Sequence, residues 1–379
     1  MYTAYFDPEY SGAALQALTL ARELRQRGHY VEFVTNRWPG LAETGKVEGF
    51  FVRRLEPGRW RKHRELRLWF NFARYIWQRR RDFDIVHSHG AYYTHAFIGP
   101  LSRVAGLKSL VKASLANDDL LDLNLPLIGF LHRMMLRRID AYVGISDDLV
   151  QEFRAGGLSP DKIHPIPNGV DTGLFRPSPG DERITLREKL GLPAEQPIAL
   201  YVGVLDPRKN IEWLAEQWIK LRAFGTNGLL LAVGPQSRED SDGALRGRLA
   251  ALGESHPGLF ALRDFSTDIL SYYQSVDALI LPSLKEGLPN VVLEAMACGL
   301  PCVAARASGS RELIREGATG FTYAHGNVTE MGEAMRRCLS AEGVGLGEKA
   351  REVAQAHYSI QAIADRYEAL YAQLLTQER

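Results

Sequence analysis

Residues 278–304 read ALILPSLKEGLPNVVLEAMACGLPCVA. The first four of them, 278–281, form an apolar run of the length of a buried strand, and a second such run follows at 301–304. The intervening segment 290–298 lacks glycine and proline and predicts a helix. Pro289 suits the first turn of that helix, because the N–H that proline lacks has no partner there. A strand, loop, helix and second strand in this order are typical of a parallel sheet covered by helices.

The same alternation runs through the whole chain. Strands are predicted at residues 2–6, 30–35, 50–55, 85–87, 109–112, 141–145, 198–202, 229–233, 278–281 and 301–304. Helices are predicted at residues 13–27, 210–224, 243–253, 268–274, 290–298, 310–316 and 360–375. The pattern predicts an α/β fold with two Rossmann-like, doubly wound parallel sheets.

The chain has 379 residues, which is enough for two domains of ordinary size. Residues 164–181 contain four prolines and three glycines, a composition that favours neither a helix nor a central strand. We therefore expect an N-terminal domain at 1–165, a linker at 166–180 and a C-terminal domain at 181–357. A last amphipathic helix lies within residues 358–379.

Composition excludes several classes of protein. The first 170 residues carry 24 Lys and Arg against 18 Asp and Glu, which is too small an excess for a nucleic-acid binder. Three cysteines do not make a disulfide framework, so we expect a reducing compartment. No segment approaches the ~18 consecutive apolar residues of a membrane span, and Asp7 and Glu9 interrupt any signal peptide. These features predict a cytoplasmic protein with no nucleic-acid partner.

Two carboxylates stand out in the segment 286–299. Glu294 is the only charge between Val291 and Ala304, and helical side chains lean towards the N-terminus of their helix, here towards the preceding loop. A carboxylate in so apolar a run needs a hydrogen-bonding partner, and two ribose hydroxyls would suit it. Glu286 at the entrance of the loop could reach a second polar group of the same ligand. Alternatively, both carboxylates serve only the local structure.

Two further loops follow predicted strands. The segment GVLDPRKN at 203–210 offers Gly203 for close backbone approach, and it places Arg208 and Lys209 at the start of the next helix. Two cations beside a helix N-terminus can hold a diphosphate, although a solvated basic turn has the same composition. Near the N-terminus, Ser11 and Gly12 in the segment PEYSGA could present backbone N–H groups to a phosphate or merely cap a helix.

The segment EGLPNVVLEAMACG resembles the glutamate–seven–glutamate signature of glycosyltransferase family 4. The resemblance covers essentially the whole chain. Its other motifs are PEYSGAALQALTLARELRQRGHYVEFVT, DIVHSHG, VGISDDLV, IPNGVD, YVGVLDPRKN and YSIQAIADRYEALY. The resemblance implies the GT-B fold, in which two Rossmann-like domains face a cleft and the C-terminal helix, here 358–379, packs back on the N-terminal domain.

The resemblance also implies an activity. Members of the family move a sugar from a nucleoside diphosphate sugar, with retention of configuration and without a metal. Glu294 matches the ribose ligand, Glu286 faces the donor sugar and phosphates, and Lys209 lies on the diphosphate. The matching donor-binding positions are Gly12, Gly203, Lys209, Glu286, Gly287, Leu288, Asn290 and Glu294. The expected catalytic residues are Glu286 and Lys209, with Arg208 as a second cation, and the expected donor is UDP- or GDP-linked.

The acceptor side is expected in the N-terminal domain, with His89, Asn117 and Asp118 as candidate contacts. The acceptor would be a saccharide or a polyprenyl-linked saccharide in the assembly of cell envelope or exopolysaccharide. The chain departs from the family pattern at Val204, where members often carry arginine. It departs again at 112–119, which lack a histidine found in many members.

Residues 53–81 combine 11 Lys and Arg with only two acids and six aromatic residues. Residues 126–138 have a similar character. Such segments suit an anionic membrane surface, although buried aromatics under a solvated basic face have the same composition. Two rival functions stay open at this stage. One is a nucleotide-sugar epimerase or hydrolase of the same fold, and the other is a non-catalytic scaffold that binds nucleotide sugars.

Overall fold

The structure is a computed structural model, and it describes residues 1–8, 11–57, 64–115, 126–180, 182–221, 228–237, 240 and 242–377. The chain forms two compact units. The N-terminal unit comprises Met1–Gly169 together with Ile360–Arg379, and the C-terminal unit comprises Val170–Ser359.

Seven strands occur in the described part of the N-terminal unit. They are β1 (Glu32–Asn36), β2 (Thr44–Val47), β3 (Phe50–Leu55), β4 (Ile85–His89), β5 (Lys108–Ala113), β6 (Ala141–Gly144) and β7 (Ile163–Pro165). The orders are β1–β3–β2 and β4–β5–β6–β7, and only the β2–β3 pair is antiparallel. Tyr2 joins the two sets, because it forms bridges with Val34 of β1 and Ser88 of β4. The prediction of a full strand at 2–6 is wrong. Beyond Tyr2 the Thr3 hydroxyl donates to the Tyr5 carbonyl oxygen (3.2 Å), a local bond that competes with strand pairing.

Helices cover both faces of this sheet. They are α1 (Gly12–Gln26), α2 (Arg64–Gln78), α3 (Tyr93–Ala96), α4 (Ile98–Ala105), α5 (Pro126–Leu136), α6 (Asp147–Ala155) and the C-terminal α15 (Ile360–Thr376). Leu24 of α1 packs in one buried cluster with Tyr367 and Leu370 of α15. Phe72 of α2 and Ile98 of α4 belong to a separate cluster. The C-terminal helix is therefore part of the N-terminal unit.

Among its described residues, the C-terminal unit has six strands, all parallel. They are β8 (Ile198–Val202), β9 (Leu229–Val233), β10 (Phe260–Arg263), β11 (Ala278–Leu281), β12 (Cys302–Ala305) and β13 (Gly320–Tyr323). The helices are α7 (Glu182–Lys189), α8 (Ile211–Leu221), α9 (Ala244–Ser255), α10 (Ile269–Ser275), α11 (Asn290–Ala297), α12 (Ser308–Leu313), α13 (Val328–Cys338) and α14 (Glu342–Tyr358). The predicted α/β fold with two Rossmann-like parallel sheets is confirmed. The three cysteines are buried free thiols.

The strand order of the C-terminal sheet reverses its direction at one point. The order is β10–β9–β8–β11–β12–β13. From β8 the chain adds β9 and then β10 on one side. It then returns and adds β11, β12 and β13 on the other side of β8. In open parallel sheets, ligands bind outside the carboxyl ends of the strands at such a switch point. The loops that follow β8 and β11 are therefore where a ligand is expected.

Candidate active site

The loops after β8 and β11 are connected by backbone and side-chain contacts. The Leu284 N–H donates to the carbonyl oxygen of Arg208 (3.0 Å). The Arg208 guanidinium donates through Nη1 to the Lys285 carbonyl oxygen (2.9 Å). Lys209 Nζ donates to Glu286 Oε1 (2.5 Å). These contacts bring three of the predicted site residues, Arg208, Lys209 and Glu286, to one edge of the sheet.

The two basic residues lie in a short 3-10 turn, Pro207–Lys209. Asp206 caps this turn by accepting the Arg208 N–H (2.8 Å). Asn210 ends it with a left-handed φ of 56°, and α8 begins only at Ile211. The prediction that Arg208 and Lys209 start the helix is therefore wrong. The cap and the left-handed residue form a separate turn before the helix.

Lys209 and Glu286 form a partly buried ion pair. Their side chains are 18% and 8% exposed. An ion pair at such burial needs close geometry to offset the loss of hydration, and the short contact supplies it. The amine of Lys209 is thus held in place at the switch point.

Glu294 lies on α11, whose first residue is Asn290. Tyr273 of α10 donates its hydroxyl to Glu294 Oε2 (2.8 Å). Burial raises the pKa of Glu294 to about 7, and the Tyr273 hydrogen bond opposes that rise. The carboxylate therefore changes its charge near neutral pH. It has a protein partner on one oxygen, which sequence reasoning did not predict because Tyr273 is 21 positions away.

Two glycines let the site loops pack closely. A Cβ atom on Gly234 would lie 1.8 Å from the carbonyl oxygen of Gly203. A Cβ atom on Gly309 would lie 1.9 Å from the carbonyl oxygen of Gly287. Only glycine fits such contacts. The sequence predicts Gly203 and Gly287 as site residues but gives no sign of Gly234 and Gly309, because close approach between distant loops leaves no local pattern.

The start of α11 differs in one detail from the prediction. Pro289 is the N-cap, with extended backbone, rather than a residue of the first turn. Leu288 before it is buried at 5% exposure. The helix start thus follows directly on the loop that carries Gly287 and Glu286.

The remaining predicted residues lie in the N-terminal unit. Gly12 is the first residue of α1, where Ser11 caps the helix by accepting the Ala14 N–H (3.1 Å). His89 ends β4 at 2% exposure, and its ring stacks on that of His87 with centroids 4.2 Å apart. Burial and the neighbouring His87 and Lys112 hold the pKa of His89 well below its usual range. Asn117 and Asp118 lie outside the described residues.

The described part of the chain offers no cluster of three or more His, Cys, Asp or Glu side chains that could hold a metal ion. Within the same residues, no helix is long and apolar enough to cross a membrane.

Comparisons with known proteins agree with this architecture. Residues 10–174 match the family described as Glycosyltransferase Family 4, and residues 196–341 match Glycosyl transferases group 1. A D-inositol 3-phosphate glycosyltransferase of Mycobacterium tuberculosis is 30% identical over 279 residues, which is 69% of this chain. These residues span only 56% of that relative's length.

Solved structures show the same fold. A sucrose-phosphate synthase from Thermosynechococcus elongatus superposes with a TM-score of 0.81 at 23% identity, and covers 98% of both chains. Anabaena HepE in complex with UDP-glucose has a TM-score of 0.78 at 18% identity, again over 98% of both chains. The chain therefore has the GT-B fold. Two segments of the chain match models of glycosyltransferase domains.

Proposed function

We propose that this protein moves a sugar from a nucleoside diphosphate sugar, UDP- or GDP-linked, to a saccharide or lipid-linked saccharide with retention of configuration. The observation that carries the proposal is the Lys209–Glu286 pair at the switch point of the C-terminal sheet, with Arg208 beside it. The complexes of HepE with UDP and UDP-glucose support a nucleotide-sugar donor for this fold.

The donor diphosphate is held by the two basic residues of the 3-10 turn. Lys209 presents a compact positive charge, and Arg208 is fixed by its bond to the Lys285 carbonyl oxygen. Charge that develops on the leaving diphosphate is stabilised by cations already in place, which is the largest catalytic effect such a site can supply. In this proposal no metal is needed, because the two side chains supply the positive charge that faces the diphosphate.

Glu286 has two tasks in the proposed reaction. Without donor it positions the amine of Lys209, and with donor its carboxylate contacts the sugar. The bond from the sugar C1 to the diphosphate breaks while an acceptor oxygen attacks from the same face. The acceptor proton passes to the departing phosphate, so no side-chain nucleophile is required.

Glu294 accepts hydrogen bonds from the donor ribose. Its ionised form is the better acceptor, and its pKa of about 7 makes that form dominant only above neutral pH. Donor affinity should therefore rise between pH 6 and pH 8. Gly203, Gly287, Leu288 and Asn290 shape the loops around the donor, and we assign Gly12 a backbone contact to phosphate.

The acceptor is recognised by the N-terminal unit, where His89, Asn117 and Asp118 are the candidate residues. We place the reaction in the cytoplasm, at the inner face of the membrane, in the assembly of cell envelope or exopolysaccharide. The basic and aromatic composition of residues 53–81 supports a membrane location.

The proposal is tested by incubating the protein with a panel of UDP- and GDP-sugars, with and without saccharide acceptors. Nucleoside diphosphate release and the anomeric configuration of the product by NMR are the two readouts. Acceptor-dependent release with a retained anomer is the expected result. Release without any acceptor would indicate a hydrolase, and isomerised donor an epimerase. Tight binding of nucleotide without turnover would indicate a scaffold.

A further inference from the structure

A group of polar side chains lies between the N-terminal sheet and the C-terminal helix α15. His87 and His89 on β4 and Lys112 on β5 are buried, at 3%, 2% and 3% exposure. On α15, the Tyr371 hydroxyl is hydrogen-bonded to His87 Nδ1 (2.8 Å), and the Tyr367 ring centroid lies 5.2 Å from that of His87. We call these five side chains the β4–β5–α15 cluster.

The members of the cluster are close to one another. His89 and Lys112 are paired across β4 and β5, so their side chains leave the sheet on the same face. The rings of His87 and His89 stack with centroids 4.2 Å apart. Lys112 Nζ lies 5.9 Å from the centroid of the Tyr367 ring. A single small ligand could therefore contact several members at once.

Most polar atoms of the cluster have no partner among the described residues. These atoms are His89 Nδ1 and Nε2, His87 Nε2 and the Tyr367 hydroxyl. In the same part of the chain, no residue accepts a hydrogen bond from the Lys112 amine. Buried polar atoms in folded proteins are nearly always hydrogen-bonded to protein, water or a ligand. Several such atoms in one place indicate that the cluster encloses a bound species.

The charges in the cluster indicate the sign of that species. Burial alone lowers the pKa of Lys112 to about 7. Burial, Lys112 and the amine of Met1 hold the pKa of His87 well below its usual range, and His95 is a further base that acts on His89. No carboxylate of the described residues acts on the pKa of Lys112 or His87. A protonated Lys112 therefore has no counter-ion in this part of the chain.

We propose that the β4–β5–α15 cluster binds a small inorganic anion of the size of chloride. The Lys112 ammonium and an N–H of His89 donate to it from the sheet, and the Tyr367 hydroxyl donates from α15. Hydrogen bonds between charged groups of this kind are stronger than neutral ones. A polyatomic anion such as sulfate is too large for side chains packed this closely and buried this deeply. The site is independent of the donor site and does not rest on the proposed function.

The anion would connect the sheet to the C-terminal helix. Without it, the Lys112 amine gives up its proton near neutral pH. With it, the amine keeps its proton, so anion affinity should fall as pH rises through the pKa of Lys112. Binding should also strengthen the packing of α15, because Tyr367 lies on that helix.

The test compares melting temperatures in sodium chloride and in sodium gluconate at equal ionic strength, at pH 6 and pH 9. Gluconate is too large to enter the cluster. At a chloride concentration about ten times the dissociation constant, the melting temperature at pH 6 should be roughly 3–5 °C higher than in gluconate. At pH 9 the two salts should give the same value. Amide hydrogen exchange in α15 should be slower in chloride at pH 6.

Variants locate the effect. Lys112→Met should lose the difference between chloride and gluconate, and His89→Phe should reduce it. The matched control is Lys108→Met in the same strand, because the Lys108 amine already donates to the Gln377 carbonyl oxygen. This control should respond to chloride as the unaltered protein does.

Three outcomes would overturn the anion site. Equal melting temperatures in chloride and gluconate at pH 6 would mean that the cluster encloses water. An undiminished chloride effect in Lys112→Met would place the anion elsewhere. A crystal grown in bromide should show an anomalous peak beside Lys112 Nζ, and a difference map without that peak would contradict the site directly.

Discussion

Lysines near the carboxyl ends of the two sheets have opposite surroundings. Lys209, after β8, is partly exposed and paired with Glu286. Lys112, in β5, is 3% exposed, and within the described residues no hydrogen bond or ion pair reaches its amine. The nearest recorded contact is the Tyr367 ring, whose centroid lies 5.9 Å from Nζ. Burial lowers the pKa of Lys112 to about 7.

The difference shows what a carboxylate partner does for a buried amine. The carboxylate partner holds the amine of Lys209 in a fixed place, whereas the unpaired buried Lys112 gives up its proton near neutral pH. The C-terminal sheet thus has an ion pair at its switch point. In the N-terminal sheet the charge of Lys112 depends on pH and costs stability.

The largest expected effect is on catalysis by Lys209. Lys209→Met should lower kcat/KM about 100- to 1000-fold, because the leaving diphosphate loses a fixed cation. The control is Lys349→Met, on the exposed side of α14, which should leave kcat/KM unchanged. Steady-state kinetics with the best donor is the measurement. Equal activity of the two variants would remove Lys209 from the mechanism.

The next prediction concerns the effect of the buried Lys112 on stability. Between pH 7 and 10.5 the unfolded chain holds a proton on this amine that the folded chain does not. Stability of the unaltered protein therefore rises with pH through that window. Lys112→Met should raise the free energy of unfolding by roughly 2–4 kcal/mol at pH 7, and by little above pH 10.5.

The control for Lys112 lies in the same strand. Lys108 is also buried, but its amine donates to the Gln377 carbonyl oxygen (2.9 Å). Lys108→Met should give no such stabilisation, because it removes a satisfied group. Denaturant unfolding at several pH values measures both variants. A destabilised Lys112→Met at pH 7 would show that the amine has a charged partner after all.

Glu294 has a smaller expected effect on stability, and the pH dependence of that effect is the opposite of that of Lys112. Between pH 4.5 and 7 the folded chain holds a proton on this carboxylate that the unfolded chain lacks, so stability falls as pH rises. Glu294→Gln should stabilise the protein by about 1–3 kcal/mol at pH 8 and not at pH 4. Its donor KM should rise about tenfold, because a neutral amide is the weaker ribose acceptor. A variant that is stabilised but keeps its donor KM would leave Glu294 a purely structural role.

Tyr273 gives the smallest expected change. Its hydroxyl lowers the pKa of Glu294, so Tyr273→Phe should raise that pKa further. The donor KM should then increase a few-fold at pH 7 and less at pH 8.5. A KM that responds equally at both pH values would mean that Tyr273 acts on packing rather than on the charge of Glu294.

Strands with strong apolar runs were predictable to the residue. Ile198–Val202, Leu229–Val233 and Ala278–Leu281 occur where the sequence predicted them. β10 and β13 were missed, because Phe260–Arg263 and Gly320–Tyr323 mix polar and apolar residues and owe their pairing to neighbouring strands. The strand at 2–6 was wrong for the converse reason, since the backbone pairing of this apolar run is limited to Tyr2 and Thr3, whose N–H groups donate to the His87 and Val34 carbonyl oxygens.

The sequence predicted which loops form the site, but not which of their residues contact one another. The approach of Lys209 to Glu286 follows from the adjacency of β8 and β11, which only the sheet order reveals. The Tyr273–Glu294 bond and the glycine contacts at Gly234 and Gly309 depend on tertiary packing, for which a single sequence carries no periodic signal.

We infer that the switch point of the C-terminal sheet binds a nucleoside diphosphate. The most direct test is a thermal-shift panel of nucleoside diphosphates and nucleotide sugars, with and without magnesium, on the unaltered protein and on Lys209→Met and Lys349→Met. A ligand that binds the folded state raises the melting temperature. We expect a metal-independent shift with one nucleotide, greatly reduced in Lys209→Met and intact in Lys349→Met. No shift with any nucleotide, or an equal shift in all three proteins, would contradict it.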